Sequence, residues 1–348
     1  MQRDIQDMRD RLLSWYDKEG RTLPWRIRPD DRAKGKAPDP YAVWLSEIML
    51  QQTTVPHGTP YWRKFLEAFP TVTNLANAER DVVLGMWAGL GYYARARNLH
   101  KCAQIIRDQH GGAFPQTEAA LLKLPGIGPY TAATIAAICF DEATNIVDGN
   151  VERVISRIFT VEEPLPKGRK ELRRLAGTLA SPERPGDYGQ ALMDLGATVC
   201  TPRSPKCELC PWQGYCAAYK KGVQTDYPKK APKQKQPVRY GACFIAESDG
   251  HYLIETRPEK GLLGGMIGFP GTDWTSEIPP EPISYAPFKA NWEDCTVVVK
   301  HVFTHFELRL SVFQARIDKA GSNQLWGDEA TLKGLPTVFK KALKATQV

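Results

Sequence analysis

The sequence predicts two domains of different class, an all-α domain followed by a smaller α+β domain. From Ile5 to about Ala218, apolar residues recur at the three- and four-residue spacing of amphipathic helices. Beyond residue 238, runs rich in β-branched and aromatic residues alternate with turn signals. A chain of 348 residues is long enough for two hydrophobic cores. We therefore expect domains at 1–221 and 239–348, joined by a linker at 222–238.

The expected linker reads GVQTDYPKKAPKQKQPV and offers little to bury. Its lysines are compatible with a solvated spacer or with contacts to phosphates: Lys229, Lys230, Lys233 and Lys235. The formal charge of +7 suits a polyanionic partner. The charged N-terminus does not read as a secretory signal, and no stretch is apolar enough to span a bilayer. We expect a cytoplasmic protein that does not bind membranes.

The second domain contains four runs that predict strands, at 240–247, 251–256, 296–308 and 309–317. A short helix is expected near Val338–Leu343.

Four of the eight cysteines form a C-x6-C-x2-C-x5-C cluster, at Cys200, Cys207, Cys210 and Cys216. Four soft thiolates in one loop favour zinc or an iron–sulfur cluster. The loop between the first two carries Arg203 and Lys206, whose cations fit a clamp on backbone phosphates.

The segment TEAALLKLPGIGPYTAATIAAI predicts a helix, a tight turn and a second helix. Gly126 and Gly128 permit the turn and leave backbone N–H groups uncovered at a helix N-terminus, where a phosphate oxygen binds. Such a glycine pair alone indicates only a turn. The apolar helix, the carboxylate and the cysteine loop that follow it strengthen the interpretation as a phosphate-binding hairpin.

Two carboxylates are candidates for acid–base chemistry. Glu47 lies in a predicted apolar helix, which disfavours its charged form and suits a general acid, although a surface glutamate or a buried ion pair fits equally well. Asp148 precedes an amphipathic helix, where either it or Asn150 is expected to be the N-cap.

Several segments together resemble the adenine DNA glycosylases of the MutY type, within the endonuclease III superfamily of helix–hairpin–helix glycosylases. They are LPWR (23–26), WLSEIMLQQT (44–53), GLGYYARARNLH (89–100), LPGIGPYTA (124–132), VDGNVERV (147–154) and QALMDLGATVC (190–200), with the four cysteines. The resemblance covers nearly the whole chain and implies a 4Fe–4S cluster rather than zinc.

The resemblance also implies roles for individual residues. Glu47 would protonate adenine at N7 and Asp148 would stabilise the sugar cation, supported by Tyr130 and Asn150. The remaining residues would hold the extruded adenine (Trp25, Arg26, Gln190), wedge the base stack (Gln52, Tyr92) or contact the opposing base (Leu90). Ordinary packing is the alternative, above all for Trp25 and Tyr92.

The segment RPEKGLLGGMIGFPG (257–271) resembles the start of a Nudix fold, but no REx2EExG helix follows. We therefore expect a reading domain without pyrophosphatase activity. The family contacts 8-oxoguanine through a Phe-Ser-His loop, which corresponds here to Phe303, Thr304 and His305. The alternative is a plain strand.

The expected function is removal of adenine opposite 8-oxoguanine or G in duplex DNA by a monomer. Bifunctional relatives carry a lysine where this chain has Tyr130, so we expect no efficient strand cleavage. An endonuclease III-like lyase and a non-catalytic iron–sulfur DNA-binding protein remain as alternatives.

Overall fold

The computed structural model describes residues 2–232, 236–258, 261–318 and 324–347. The chain divides into two compact units, Met1–Pro232 and Lys233–Val348. In the described ranges, every helix is too short or too polar to cross a membrane.

The first unit is helical, as predicted. Its α-helices are α1 (Gln2–Glu19), α2 (Pro29–Ala33), α3 (Pro40–Met49), α4 (Val55–Ala68), α5 (Val72–Asn77), α6 (Arg80–Met86), α7 (Ala94–His110), α8 (Glu118–Leu121), α9 (Pro129–Phe140), α10 (Gly149–Phe159), α11 (Arg169–Leu179), α12 (Pro185–Asp194) and α13 (Ala217–Lys220). A π-helical turn follows α12 at Leu195–Val199, and 3-10 turns lie at Cys207–Leu209, Gln213–Tyr215 and Gln224–Asp226.

Helix α9 lies between two hydrophobic cores of this unit. One core holds the buried residues of α3, α4 and α7, including Trp44, and the other holds those of α1, α10 and α12, including Tyr16. Helix α9 contributes to both because it is apolar on every side, with Thr131–Ile138 buried. Glu47 on α3 and Asp148 before α10 therefore belong to opposite sides of the same central helix.

The predicted hairpin is α8, the turn at 122–128 and α9. Thr117 caps α8 by accepting a hydrogen bond from the Ala120 amide at 3.3 Å. Gly126 has φ of +78°, and a Cβ there would lie 2.8 Å from the Asn98 side chain. This turn requires glycine on both counts.

The expected linker begins too early. Tyr227 is buried in the second core, and its carbonyl accepts a hydrogen bond from Arg157 at 3.2 Å. Lys229 pairs with Glu162, and its carbonyl accepts from the Leu165 amide. The buried Tyr227 thus holds a segment whose composition predicts a linker. Lys233 and Lys235 lie outside the described residues.

The described residues of the second unit form a mixed sheet and two helices. Its elements are β1 (Val238–Ser248), β2 (His251–Thr256), β3 (Ile267–Gly268), β4 (Glu293–Val302), β5 (Glu307–Arg316), β6 (Leu325–Gly327), α14 (Glu329–Leu332) and α15 (Thr337–Ala345), with a 3-10 turn at Pro282–Tyr285. The strand order is β3-β2-β1-β5-β4, and β6 pairs with β2. Strands β1 and β5 are parallel and the other pairs antiparallel.

The predicted break between the last two strands is misplaced. Strand β4 ends at Val302 and β5 begins at Glu307, so the turn falls inside the predicted run 296–308. The turn is closed by a hydrogen bond from the Phe303 amide to the Phe306 carbonyl, at 2.9 Å. It contains neither glycine nor proline, so composition gave no signal there. In the Nudix-like segment, Glu259 and Lys260 lie outside the described residues.

Candidate active site

A cavity of about 310 Å³ opens in the helical unit. Its walls bring together segments far apart in sequence, including Trp25, Arg26, Glu47, Tyr130, Asp148, Asn150 and Gln190. Every residue predicted for acid–base chemistry or for the adenine pocket therefore lines one space. The volume suits a single flat aromatic ligand.

Glu47 faces this cavity from α3, among buried neighbours that include Val43, Trp44 and Ile48. Burial raises the pKa of Glu47 to about 7, while a hydrogen bond with Tyr130 and the charge of Arg26 lower it and the charge of Asp148 raises it. The side chain is half-buried because it opens on the cavity. A ligand that displaced water from the cavity would favour the protonated form further.

Tyr130 is the second residue of α9 and lies beside this carboxyl group. Its hydroxyl donates to the Met193 sulfur at 3.2 Å. Burial and the charges of Glu47 and Asp148 raise the pKa of Tyr130 well above its usual value, so it stays a neutral donor. Met193 had not been expected at this site.

Asp148 has a polar environment. It is the N-cap of α10, and one carboxylate oxygen accepts from the Val151 amide at 2.7 Å. The other accepts from the Asn150 side chain at 2.8 Å. The carboxylate thus meets two donors and the positive end of the helix dipole. Asp148, not Asn150, is thus the cap.

Arg153 connects this carboxylate to the cysteine loop. Its guanidinium donates to Asn150 Oδ1 at 3.0 Å, to the Gly196 carbonyl at 2.7 Å and to the Cys200 carbonyl at 2.8 Å. Asn150 therefore holds Asp148 with its amide nitrogen and Arg153 with its amide oxygen. Sequence reasoning missed Arg153, although its position one helical turn after Asn150 was a usable signal.

Arg26 contributes to the cavity wall mainly through Asp194. Its guanidinium donates to both Asp194 oxygens at 2.8 and 2.9 Å, and Arg21 donates to the same carboxylate. Asp194 is fully buried and was missed from the sequence. Gln190 donates to the Gly186 carbonyl, while its Oε1 is buried and has no partner among the described residues. That oxygen leaves one acceptor available to a ligand.

The four cysteines border a second cavity in the same unit. None of the four forms a disulfide. The Arg157 guanidinium donates to Cys200 Sγ at 3.2 Å, and the Tyr219 amide donates to Cys216 Sγ at 3.4 Å. Four sulfur ligands with donors aimed at the sulfurs fit an iron–sulfur cluster.

The residues expected to touch the DNA backbone are accessible. Arg203 and Lys206 are exposed on the loop between the first two cysteines. At the hairpin, Gly126 is exposed, and a Cβ on Gly128 would meet open space. Gly128 is also the N-cap of α9, so the first amides of that helix are uncovered.

The three residues expected at the DNA stack differ in exposure. Gln52 and Tyr92 are both exposed and have positive φ, at +58° and +49°. Leu90 is only 6% exposed and packs in the first core, which favours the packing interpretation over contact with a base. Contact between Leu90 and the opposing base therefore stays a prediction that the burial of its side chain does not favour.

Phe303, Thr304 and His305 form the tip of the β4–β5 turn rather than part of a strand. Phe303 stacks on Trp274, with ring centroids 5.5 Å apart. Gln236 donates to the Thr304 carbonyl at 3.0 Å. Thr304 and His305 are exposed, so their side chains are free to meet a ligand.

Three protein families match consecutive parts of the chain. Residues 45–180 match the HhH-GPD superfamily of base excision DNA repair proteins, and residues 200–216 match the iron–sulfur binding domain of endonuclease III. Residues 241–345 match the NUDIX domain. The fold and the paired carboxylates thus define a base-excision DNA glycosylase of the helix–hairpin–helix class, and its cofactor is a 4Fe–4S cluster.

Two individual relatives identify the family within this class. An adenine DNA glycosylase of Mus musculus is 33% identical over 98% of this chain and 78% of its own length. One from Buchnera aphidicola (subsp. Acyrthosiphon pisum) is 32% identical over 96% of this chain and 95% of its own. This chain belongs to the adenine DNA glycosylase family.

Solved structures match the helical unit. A thermostable thymine-DNA glycosylase aligns with a TM-score of 0.56 and 30% identity, over 63% of this chain and 98% of its own. An endonuclease III–DNA complex aligns with a TM-score of 0.52 and 20% identity, over 64% of this chain and 99% of its own, which shows the shared fold.

Proposed function

We propose that this enzyme hydrolyses the N-glycosidic bond of adenine paired with 8-oxoguanine or G in duplex DNA, and that it acts as a monomer without cutting the strand. The observation that carries this proposal is the cavity that Glu47, whose pKa is raised to about 7 by burial, shares with Asp148, whose two oxygens accept from the Val151 amide and the Asn150 side chain. An enzyme that breaks a glycosidic bond needs one carboxyl group protonated and the other charged.

In this mechanism the adenine leaves the duplex and enters the cavity. Glu47 gives its proton to N7 while the C1′–N9 bond breaks, and the bonding electron pair leaves with the base. The Asp148 carboxylate stabilises the positive charge that develops on the sugar. Water then adds to C1′ and returns a proton to Glu47. The Oε1 of Gln190, a buried acceptor without a partner among the described residues, would accept from the exocyclic amine of adenine.

Tyr130 supports monofunctional activity. A lyase needs a neutral amine to form a Schiff base with the sugar. No lysine occurs among the described residues that line the cavity, and Tyr130 lies beside Glu47. Borohydride should therefore trap little covalent enzyme–DNA adduct, and strong trapping would refute this part of the proposal.

The β4–β5 turn supports reading of the lesion. Trp274 stacks on Phe303 and Gln236 holds the Thr304 carbonyl, so a fixed tip presents Thr304 and His305. The threonine hydroxyl keeps the hydrogen-bonding capacity of the serine in the Phe-Ser-His loop. We expect His305→Ala to reduce the preference for 8-oxoguanine over G more than it reduces cleavage opposite G. Equal losses would contradict the reading role.

The decisive experiment is single-turnover release of base from duplexes containing A opposite 8-oxoguanine, A opposite G, or A opposite T. Release should be fastest from the first, slower from the second and near background from the third, and Glu47→Gln should abolish it. A duplex with T opposite G is needed as well because of the similarity to a thymine-DNA glycosylase. Release of thymine, but not adenine, would overturn the substrate assignment.

A further inference from the structure

Two turns of the helical unit carry exposed side chains, and the first of them borders the cavity. The first follows α3 and includes Gln51, which lines the cavity, and Gln52. The second precedes α7 and includes Gly91 and Tyr92. Gln52 and Tyr92 are L-residues with φ of +58° and +49°, a strained conformation that persists only where the surrounding structure enforces it.

One side chain binds both turns. Arg95, on the first turn of α7, donates through one terminal nitrogen to the carbonyls of Ile48, Met49 and Gln51, at 2.8, 3.2 and 2.6 Å. Its other terminal nitrogen donates to the carbonyls of Leu90 and Gly91, at 3.0 and 3.2 Å. The planar guanidinium therefore fixes the distance between the two turns.

The position of these carbonyls explains the backbone strain. The Gln51 carbonyl belongs to the peptide plane from which φ of Gln52 is measured, and the Gly91 carbonyl stands in the same relation to Tyr92. By holding both carbonyls, Arg95 restrains both planes, and with them the left-handed conformations that follow. Trp87 assists because its indole donates to the Gly91 carbonyl at 3.0 Å and its ring lies under the Arg95 guanidinium.

The positive charge of Arg95 also has a role, at the C-terminal end of α3. No ion pair joins Arg95 to a carboxylate among the described residues, and its acceptors include the last carbonyls of α3. A cation there complements the negative end of the dipole of the helix that carries Glu47. The Tyr92 ring also faces the guanidinium, 5.7 Å away.

We propose that Arg95 is a positioning residue that holds the turns of Gln52 and Tyr92 as one rigid wedge for opening the duplex stack. This inference rests on the proposed function because it requires that the two turns enter DNA. Arg95 itself touches neither the base nor the sugar. Its loss should therefore impair extrusion of a paired adenine and affect much less the extrusion of an adenine that has no pairing partner, because an unpaired base costs less free energy to extrude.

The experiment compares Arg95→Met with Arg107→Met. Arg107 lies on the same helix and binds a turn elsewhere, at the Ala76 carbonyl and Asn77 Oδ1. Single-turnover rates are measured on adenine opposite G and on adenine opposite an abasic site, where pairing is absent. Arg95→Met should lose about 10- to 100-fold on the paired adenine and less than about threefold on the unpaired one. Arg107→Met should lose little on either.

A second readout does not require catalysis. With Glu47→Gln in the background, 2-aminopurine at the target position reports unstacking through its fluorescence, and Arg95→Met should suppress the increase. Equal rate losses on both substrates, or an unchanged fluorescence increase, would overturn the inference. If the parent protein releases no adenine, the proposed function fails, and the fluorescence arm still decides the role of Arg95.

Arg95→Lys covers the case in which Arg95→Met does not fold, judged by cluster absorbance and thermal unfolding. Lysine keeps the charge, but its ammonium is too compact to bridge both turns. It should show the same selective loss on paired adenine, at smaller magnitude. Full activity of Arg95→Lys on both substrates would overturn the inference.

Discussion

Glu47 and Asp148 face the same cavity from two differently built parts of the helical unit. Glu47 lies within α3, between aromatic and aliphatic side chains, and burial raises its pKa to about 7. Asp148 lies at the start of α10, where the Val151 amide and the Asn150 side chain donate to its two oxygens. The apolar side chains around Glu47 exclude water from its carboxyl group. The hydrogen-bond donors around Asp148 take the place of water at its carboxylate.

Position in a helix accounts for this difference. A carboxyl group in the middle of a helix finds no free amide, so burial favours its neutral form. A carboxyl group at the N-cap meets free amides and the positive end of the helix dipole. The proposed reaction assigns the acid to the first environment and stabilisation of the sugar cation to the second.

The largest expected effect comes from removing the charge on Asp148. Asn is also a preferred N-cap, so Asp148→Asn should keep the helix start but lose the electrostatic stabilisation of the sugar cation. We expect single-turnover adenine release to fall about 10²- to 10³-fold, with little change in thermal unfolding.

Asp148→Ala is the matched comparison. It removes both charge and cap and should lose about 1 kcal/mol of stability in addition to the rate. If Asp148→Asn were fully active and only Asp148→Ala impaired, Asp148 would be a cap and nothing more.

A smaller effect is expected from Asn150→Ala. This change removes the hydrogen bond to Asp148 and breaks the connection through Arg153 to the cysteine loop. A hydrogen bond to a charged group contributes about 1.5–3 kcal/mol, so the rate should fall about 10- to 100-fold. Asn145→Ala is the control, because Asn145 bonds the Arg173 carbonyl outside the cavity. Equal rates for the two variants would show that Asp148 is oriented without Asn150.

The sequence predicted the two elements that place these carboxylates. The periodicity around Glu47 and the cap pattern before α10 are local signals, and α3 and α10 confirm them. The Asp194–Arg26 pair was not predicted because it joins residues from opposite ends of the unit and has no local pattern. The single cavity likewise follows from packing on both sides of α9, which no local pattern encodes.

In the second unit, too, local sequence patterns predicted only part of the structure. Strand β2 was predicted with its observed bounds because its residues are rich in β-branched and aromatic types. The turn at Phe303–Phe306 was missed because aromatic residues continue through it.

The end of the first unit was also misjudged. Tyr227 was assigned to a linker because its neighbours are Lys and Pro, yet it is buried in the second core.

The pH dependence of the rate provides the next test. Glu47 must be protonated to act as an acid, so the active fraction falls as pH rises through its pKa of about 7. We expect the single-turnover rate on saturating DNA to fall about tenfold per pH unit on the alkaline side. A bound base removes water from the cavity and should move this inflection upward, relative to the free enzyme. A rate independent of pH up to about pH 9 would contradict the assignment of Glu47 as the acid.

The smallest effect concerns the contribution of Glu47 to stability and its dependence on pH. The pKa of Glu47 rises from 4.5 to about 7 on folding, so the native state binds this proton more tightly than the unfolded state. Relative to a neutral residue, Glu47 therefore loses stabilisation as pH rises between these values. The shift corresponds to about 3 kcal/mol at most, and contact with solvent through the cavity should reduce it to about 1–2 kcal/mol. Glu47→Gln should be more stable than the parent protein at pH 8, by that amount, and equal to it at low pH.

The measurement is denaturant unfolding followed by cluster absorbance. Glu67→Gln is the control, because Glu67 is exposed. If Glu47→Gln were destabilised at pH 8, the carboxylate would be contributing favourable contacts in its charged form, and its environment would resemble that of Asp148.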